Sequence, residues 1–314
     1  MMVLRSLLFV PGHIMRMIHK AATLPADAII FDLEDAVPLP DKETARILVR
    51  DTMPAVKSGG AYIFVRINAL TTKLTAEDIK YVATKDLDGI VLSKAEEGAD
   101  VGEVAGMLED REKALGLESG TFKIIPLVET AKGVINAYEI AAASVRTVAV
   151  GFGAGDYYRD LGRSVAALSP EQTELLYARS QTVVASRAAG VPALDTAFFG
   201  LLTDKEGFTK EARHALQLGF KGKMLIHPDQ IEIVNRIFSP SPEEAEYAQK
   251  VVLAFEEAQS RGLGAISFEG KMIDIMSYRQ AKDLVNLVET IAEREQKRGQ
   301  SPYVSIFKFF EAKR

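Results

Sequence analysis

"IIPLVETAKG", residues 124–133, and "TVAVGFGAGD", residues 147–156, are the stretches on which the fold turns. Each opens as an apolar, partly β-branched run and closes on an acid, Glu129 in the first and Asp156 in the second. Thr130 and a helical pattern follow Glu129 at once. A chain that twice carries a carboxylate out on the end of a buried strand reads as successive βα units whose strand ends share one face.

The same alternation extends in both directions. Residues 4–10, 28–33, 62–67, 89–92, 123–128, 147–151, 193–197 and 224–226 are the expected strands, eight in all. Helical patterns lie between them, at 41–57, 101–115, 131–143, 170–189 and 210–218. Ser169-Pro170-Glu171 reads as an N-cap, an N1 proline and a first-turn acid. Eight strands with helices between them is the count of a TIM (β/α)8 barrel. A doubly wound sheet is the rival on strand count. Against it, the turn after the first strand reads Pro11-Gly12-His13, with no G-x-G-x-x-G opening a helix.

The barrel is expected to span 1–238, with 239–314 as a C-terminal helical extension. That extension begins with a Ser/Pro turn and a long amphipathic helix led by acids, passes through "AISFEGKMID" and continues as a second helix over 277–298. The aromatic tail, 301–314, is expected to dock on some surface.

Bulk composition limits the function classes. With 314 residues, 47% of them hydrophobic, the chain can bury a large core. A formal charge of −5 argues against nucleic acid or an anionic membrane as the main partner. The absence of cysteine excludes disulfides, thiolate nucleophiles and Cys-ligated zinc, and agrees with a cytoplasmic location. The opening "MMVLRSLLFVPG" lacks a basic leader and a cleavage site, so a buried first strand is expected there. No segment approaches the ~20 apolar residues of a membrane span.

In a barrel, the strand ends face one mouth. They carry Glu34 and Asp35, Arg66, Lys94, Glu129, Asp156, Asp195 and His227. Glu129 and Asp156 suit a hard cation: two carboxylates, without Cys or an H-x-x-x-H pair, point to Mg2+ or Mn2+. The glycines of 151–155 would let backbone approach a ligand ahead of Asp156. An arginine at the mouth suits a carboxylate or thioester oxygen. Each residue also has a plainer role open to it. An acid after a strand is often a helix cap, although Thr130 is a better cap than Glu129. Glu34 and Asp35 could cap the next segment, pair with Lys42 or stand behind the metal ligands. Lys94 could be a solvated end, and His227 before Pro228 a structural hydrogen-bonder.

The motifs then resemble the citrate lyase β-subunit-like proteins of the HpcH/HpaI aldolase superfamily, which include malyl-CoA and citramalyl-CoA lyases. The segments are "RSLLFVPG" at 5–12, "DLEDAV" at 32–37, K-x-x-AR at 42–46, "VRIN" at 65–68, PLVET-x-x-G at 126–133, G-x-x-DYYRDLG at 153–162, GF-x-GK-x-x-IHP-x-QI at 219–231 and "GKMID" at 270–274. The chain departs from the usual family pattern in the loop 12–16, at Ser93 of "VLSK", where LPK is usual, and at Met276 of "MIDIM", where proline is usual.

The resemblance implies a TIM-type barrel assembled as a homo-oligomer, a trimer or hexamer. It implies Mg2+ (Mn2+ as the alternative) on Glu129 and Asp156, and Arg66 as the group that binds the acid substrate and stabilises enolate charge. Asp274 is implied as the acid/base, reaching from the extension into a neighbouring subunit. Glu129 also contacts substrate in this picture, and Glu34 and Asp35 stand behind the ligands. The implied reaction is reversible carbon–carbon cleavage of a 3-hydroxyacyl thioester, with CoA as part of the substrate, into acetyl-CoA and a 2-oxo acid. A carrier-protein-bound citryl thioester or thioester hydrolysis are the alternatives. Neither nucleic acid nor membrane is implied as a partner.

Overall fold

The computed structural model describes residues 2–169 and 171–297, which fall into two compact units, 2–238 and 239 onward. In the first, eight strands form a closed parallel barrel: β1 (Ser6–Pro11), β2 (Ala28–Asp32), β3 (Tyr62–Ile67), β4 (Gly89–Leu92), β5 (Lys123–Val128), β6 (Val150–Phe152), β7 (Ala193–Asp195) and β8 (Gly222–Leu225). β1 pairs with both β2 and β8, which closes the sheet and removes the doubly wound alternative.

Strand side chains alternate between two apolar layers. Leu7, Ala28, Ile30, Phe64, Val91, Ile125, Leu127 and Met224 fill the barrel interior. Leu8, Ile29, Phe31, Ile63, Val65, Ile90 and Ile124 pack outward with the helices. This period of two has a consequence at the mouth: the next inward positions after Ile30, Phe64 and Leu127 are Asp32, Arg66 and Glu129.

Local differences from expectation have local causes. The helix expected from 170 begins at Leu176, after a 3-10 turn over Thr173–Leu175. Ser169 caps nothing there, because its backbone N and hydroxyl both bond the Glu174 carboxylate; Pro170 lies outside the described residues. The helix expected over 131–143 is interrupted at Asn136, whose side chain donates to the Glu96 carbonyl at 2.8 Å. β8 starts earlier than expected, at Gly222, where a Cβ would sit 1.8 Å from the Leu4 carbonyl oxygen.

Asp195 does not reach the mouth. It is fully buried and bonded to Arg179 Nε and Nη2, each at 3.0 Å, and to Lys223 Nζ at 2.6 Å. Lys223 Nζ also donates to Glu211 at 2.6 Å and to the Thr196 carbonyl at 2.7 Å. Two cations and two carboxylates thus neutralise one another inside the wall. Lys223→Met is expected to destabilise the protein by about 3–5 kcal/mol, since it leaves a buried carboxylate uncompensated. Urea unfolding measures this, and a loss below about 1 kcal/mol would mean that the network relaxes around the gap.

In the second unit, the helix Pro242–Ser260 starts at a capping box: Ser241 Oγ accepts from Glu244 N at 3.1 Å and Glu244 Oε2 from Ser241 N at 2.7 Å. "AISFEGKMID" forms a hairpin, β9 (Ile266–Phe268) and β10 (Lys271–Ile273), turned by Glu269 and Gly270 at positive φ. The helix Ile275–Lys297 follows, and Ala248, Val251, Phe255, Ile273 and Ala281 make the small core. The tail 301–314 lies outside the described residues. Among the described residues, no helix is long and apolar enough to cross a membrane.

Candidate active site

Arg66 is the most constrained group at the mouth. Its Nε donates to Asp32 Oδ1 at 2.8 Å and its Nη2 to Asp32 Oδ2, from the residue paired with it across β2 and β3. Nη1 lies 3.2 Å from Glu34 Oε2, and the guanidinium stacks 4.8 Å from the centre of the Phe9 ring. Burial opposes the charge, but the carboxylates of Asp32, Glu34 and Glu129 raise the pKa above that of an ordinary arginine. The result is a fixed cation whose remaining N–H donors stay available to an oxyanion.

Glu129 follows β5 and is 2% exposed. Its Oε1 accepts from Lys94 N at 2.7 Å. Burial pushes its carboxyl up to about 8; Glu34 and Asp156 add to this and Arg66 opposes it. Thr130 takes the cap role, accepting from Gly133 N at 3.0 Å, so Glu129 is free of it. A Cβ on Gly153 would lie 2.3 Å from Glu129 Oε2. That glycine makes room for the Glu129 carboxylate.

Asp156 lies in the first turn of the helix Ala154–Asp160, which starts just after β6. Its carboxylate pairs with Arg159 on the rim and lies 3.9 Å from Lys94 Nζ. Lys94 is no solvated strand end. Its side chain is 26% exposed, its ammonium pairs with Glu34 Oε1, and its backbone sits at φ 53°. Of the two acids after β2, Glu34 is buried among these groups, whereas Asp35 is 62% exposed and 3.4 Å from Lys94 Nζ. Lys42 pairs with neither. Its Nζ donates to the Leu33 and Glu34 carbonyls and to Asn68 Oδ1, which braces the loop from below. His227 acts structurally, its Nδ1 accepting from Asp229 N at 3.3 Å.

Glu34 and Asp156 press on Glu129; Arg66 holds Asp32 and Glu34, Lys94 lies against Glu34 and Asp156, Arg159 pairs with Asp156, and Lys42 adds positive charge beside Asp32 and Glu34. Burial and the neighbouring carboxylates disfavour an ionised Glu129, and a divalent cation beside it would offset that. Among the described residues, no group of three or more His, Cys, Asp or Glu side chains is placed to hold a metal. A two-carboxylate oxygen set fits Mg2+, which fills the rest of its octahedron with water and substrate oxygens.

Asp274 belongs to the second unit. It sits between β10 and the helix Ile275–Lys297, and its Oδ1 accepts from Ser277 N at 2.9 Å and Ser277 Oγ at 3.0 Å. Those donors hold its carboxyl below the usual carboxylate range. Met272, Ile275 and Met276 beside it are exposed.

Comparison with known proteins fits this geometry. The family model described as HpcH/HpaI aldolase/citrate lyase matches residues 5–228. The chain is 43% identical over 270 residues to the citrate lyase subunit beta of Leuconostoc mesenteroides subsp. cremoris, covering 86% of this chain and 88% of that one. It is 35% identical over 288 residues to a (3S)-malyl-CoA thioesterase of Cereibacter sphaeroides, covering 92% and 95%. Among solved structures, CitE from Mycobacterium tuberculosis in complex with magnesium, acetoacetate and coenzyme A matches with a TM-score of 0.68 and 32% identity, over 94% of this chain and 98% of that one. The chain belongs to the HpcH/HpaI aldolase/citrate lyase family.

Proposed function

We propose that the chain is a Mg2+-dependent carbon–carbon lyase acting reversibly on a 3-hydroxyacyl thioester of the citryl-, malyl- or citramalyl-CoA type, with acetyl-CoA and a 2-oxo acid as products. The observation that carries this is the placement of Arg66, clamped by Asp32 and Glu34, beside the buried Glu129 and the Asp156 carboxylate. The M. tuberculosis neighbour, which holds magnesium, acetoacetate and coenzyme A, supports the same ligand classes here.

Glu129 and Asp156 would hold the ion. When bound, Mg2+ (or Mn2+) supplies Lewis-acid polarisation of the substrate's hydroxyl and carboxylate oxygens. Cleavage passes the hydroxyl proton to solvent water, turns the carbinol carbon into the oxo carbon and leaves the bonding pair on the thioester as an enolate. Arg66 stabilises that developing negative charge with donors already fixed in place. Asp274, in its protonated form, returns a proton to the enolate carbon, and in the condensing direction its carboxylate removes one. The extension 239–314 acts as a lid that brings Asp274 to the barrel, 1–238, of a neighbouring subunit in a homotrimer or hexamer. The exposed Met272, Ile275 and Met276 around Asp274 support a covered position for it in the assembly.

The 43% identity to a citrate lyase subunit favours a second reading, the same cleavage on a citryl thioester carried by an acyl carrier protein. The thioesterase relative supports a third, hydrolysis of a malyl-type thioester. Release of 2-oxo acid from malyl-CoA, citramalyl-CoA and citryl-CoA, each with Mg2+ and with EDTA, separates them. Metal-dependent glyoxylate, pyruvate or oxaloacetate identifies the lyase and its substrate. Free acid and CoA without oxo acid identify the thioesterase. Activity confined to a phosphopantetheinyl carrier identifies the carrier-bound reaction.

A further inference from the structure

Glu34 is the odd carboxylate at the mouth. It is 3% exposed and acts on the charge of Glu129 beside Asp156, yet as placed it forms, among the described residues, no three-carboxylate group able to hold a cation. Both its oxygens are taken. Oε1 pairs with the Lys94 ammonium, and Oε2 lies 3.2 Å from Arg66 Nη1 and accepts from Asp35 N at 3.2 Å.

Lys94 is held in place at a cost. Its φ of 53° is a left-handed conformation that disfavours any side chain with a Cβ. That conformation lets one residue serve both carboxylates: the backbone N–H holds Glu129 Oε1 while the side chain reaches Glu34.

We propose that Lys94 is a positioning residue that withholds Glu34 from the bound cation and so sets the metal preference of the site. The inference rests on the assignment of Glu129 and Asp156 as the metal ligands. With Glu34 engaged by Lys94 and Arg66, the protein offers two carboxylates, the number a compact octahedral Mg2+ accepts alongside water and substrate. With Glu34 released, the site gains a third carboxylate and a further negative charge, which favours Ca2+, an ion that takes about 6–8 oxygen ligands in flexible geometry.

The test is direct titration of the full-length protein with Mg2+ and with Ca2+ by calorimetry, with Mn2+ binding followed by electron paramagnetic resonance. Lys94→Gly removes the ammonium, keeps the N–H to Glu129 and relieves the backbone; Lys94→Met removes the ammonium with nearly the same bulk. Both are expected to shift the ratio of the Mg2+ and Ca2+ dissociation constants toward Ca2+ by about tenfold or more. Adding Glu34→Gln to either variant is expected to return the ratio to that of the wild type. An unchanged ratio in folded Lys94 variants overturns the proposal, as does a shift that survives Glu34→Gln. If the wild type binds no divalent cation, or binds it unaltered after Glu129→Gln, the ligand assignment itself fails and takes this proposal with it.

Discussion

Glu129→Gln is expected to lower metal-dependent turnover by about three orders of magnitude or more, because several kcal/mol of charge stabilisation disappear with the ion. The substitution is nearly isosteric, so the Lys94 N–H still finds an oxygen at that position and the barrel wall stays packed. The 2-oxo acid assay measures the loss. An unaltered Mg2+ dependence in the variant would remove Glu129 from the ligand set.

The same substitution has an opposite effect on stability in EDTA. The native protein retains the Glu129 proton up to about pH 8 because the carboxyl is buried beside other carboxylates. The unfolded chain releases it near an ordinary carboxylate value of about 4.3. Between these values the native state binds more protons than the unfolded state, so stability falls as pH rises through the window. Above about pH 8 the full penalty applies, on the order of a few kcal/mol. Metal-free Glu129→Gln should therefore melt above the wild type at pH 8.5, and the gap should close towards pH 5. Saturating Mg2+ should raise the wild-type melting temperature and leave the variant unmoved, since binding to the native state alone stabilises it. Equal melting profiles at both pH values would mean that Glu129 carries no uncompensated charge.

The barrel was legible because period-two runs punctuated by helical patterns leave few other topologies. Every expected strand overlaps an observed one, and the errors lie at the ends. They arise where a backbone contact decides the boundary, as at Gly222 against the Leu4 carbonyl, or where a side chain chooses a partner that local sequence does not reveal, as Ser169 chooses Glu174. The mouth was legible in part. Asp32 lies inside the expected strand 28–33, although an acid two positions beyond Ile30 in an inward-facing series is a usable signal. The placement of Lys94 depends on a left-handed φ that nothing in "VLSK" announces. Asp195 looked like a mouth residue because a strand-end acid carries no mark of its partners; Arg179 and Lys223 are 16 and 28 positions away in the chain. Asp274 rests on motif resemblance alone, since no periodicity marks the single residue between β10 and the helix that follows it.

Asp274→Asn is the second large effect expected, a loss of about two to four orders of magnitude in turnover, the usual range for a positioned acid or base. In the proposed reaction the carboxylate would be the base of the condensing direction, and the Ser277 N–H and hydroxyl, which lower its pKa, keep it ionised for that role. For cleavage it must hold a proton, and covering it with apolar surface and setting it beside enolate charge would supply the upward shift. Met272, Ile275 and Met276 are the exposed apolar side chains that such a seat would cover. If the seat is a neighbour's barrel mouth, two dead variants can complement each other. An Asp274→Asn protomer keeps an intact mouth, and a Glu129→Gln protomer keeps an intact Asp274. Random equal mixing then gives about a quarter of all sites both intact parts, in any ring where each site is shared between adjacent protomers. Specific activity should rise from near zero to about that fraction after subunit exchange, with exchange confirmed by mass-tagged protomers. Proven exchange with no recovery would place Asp274 in the same chain as the mouth it serves, or outside the chemistry altogether; the residual activity of Asp274→Asn alone distinguishes these two outcomes.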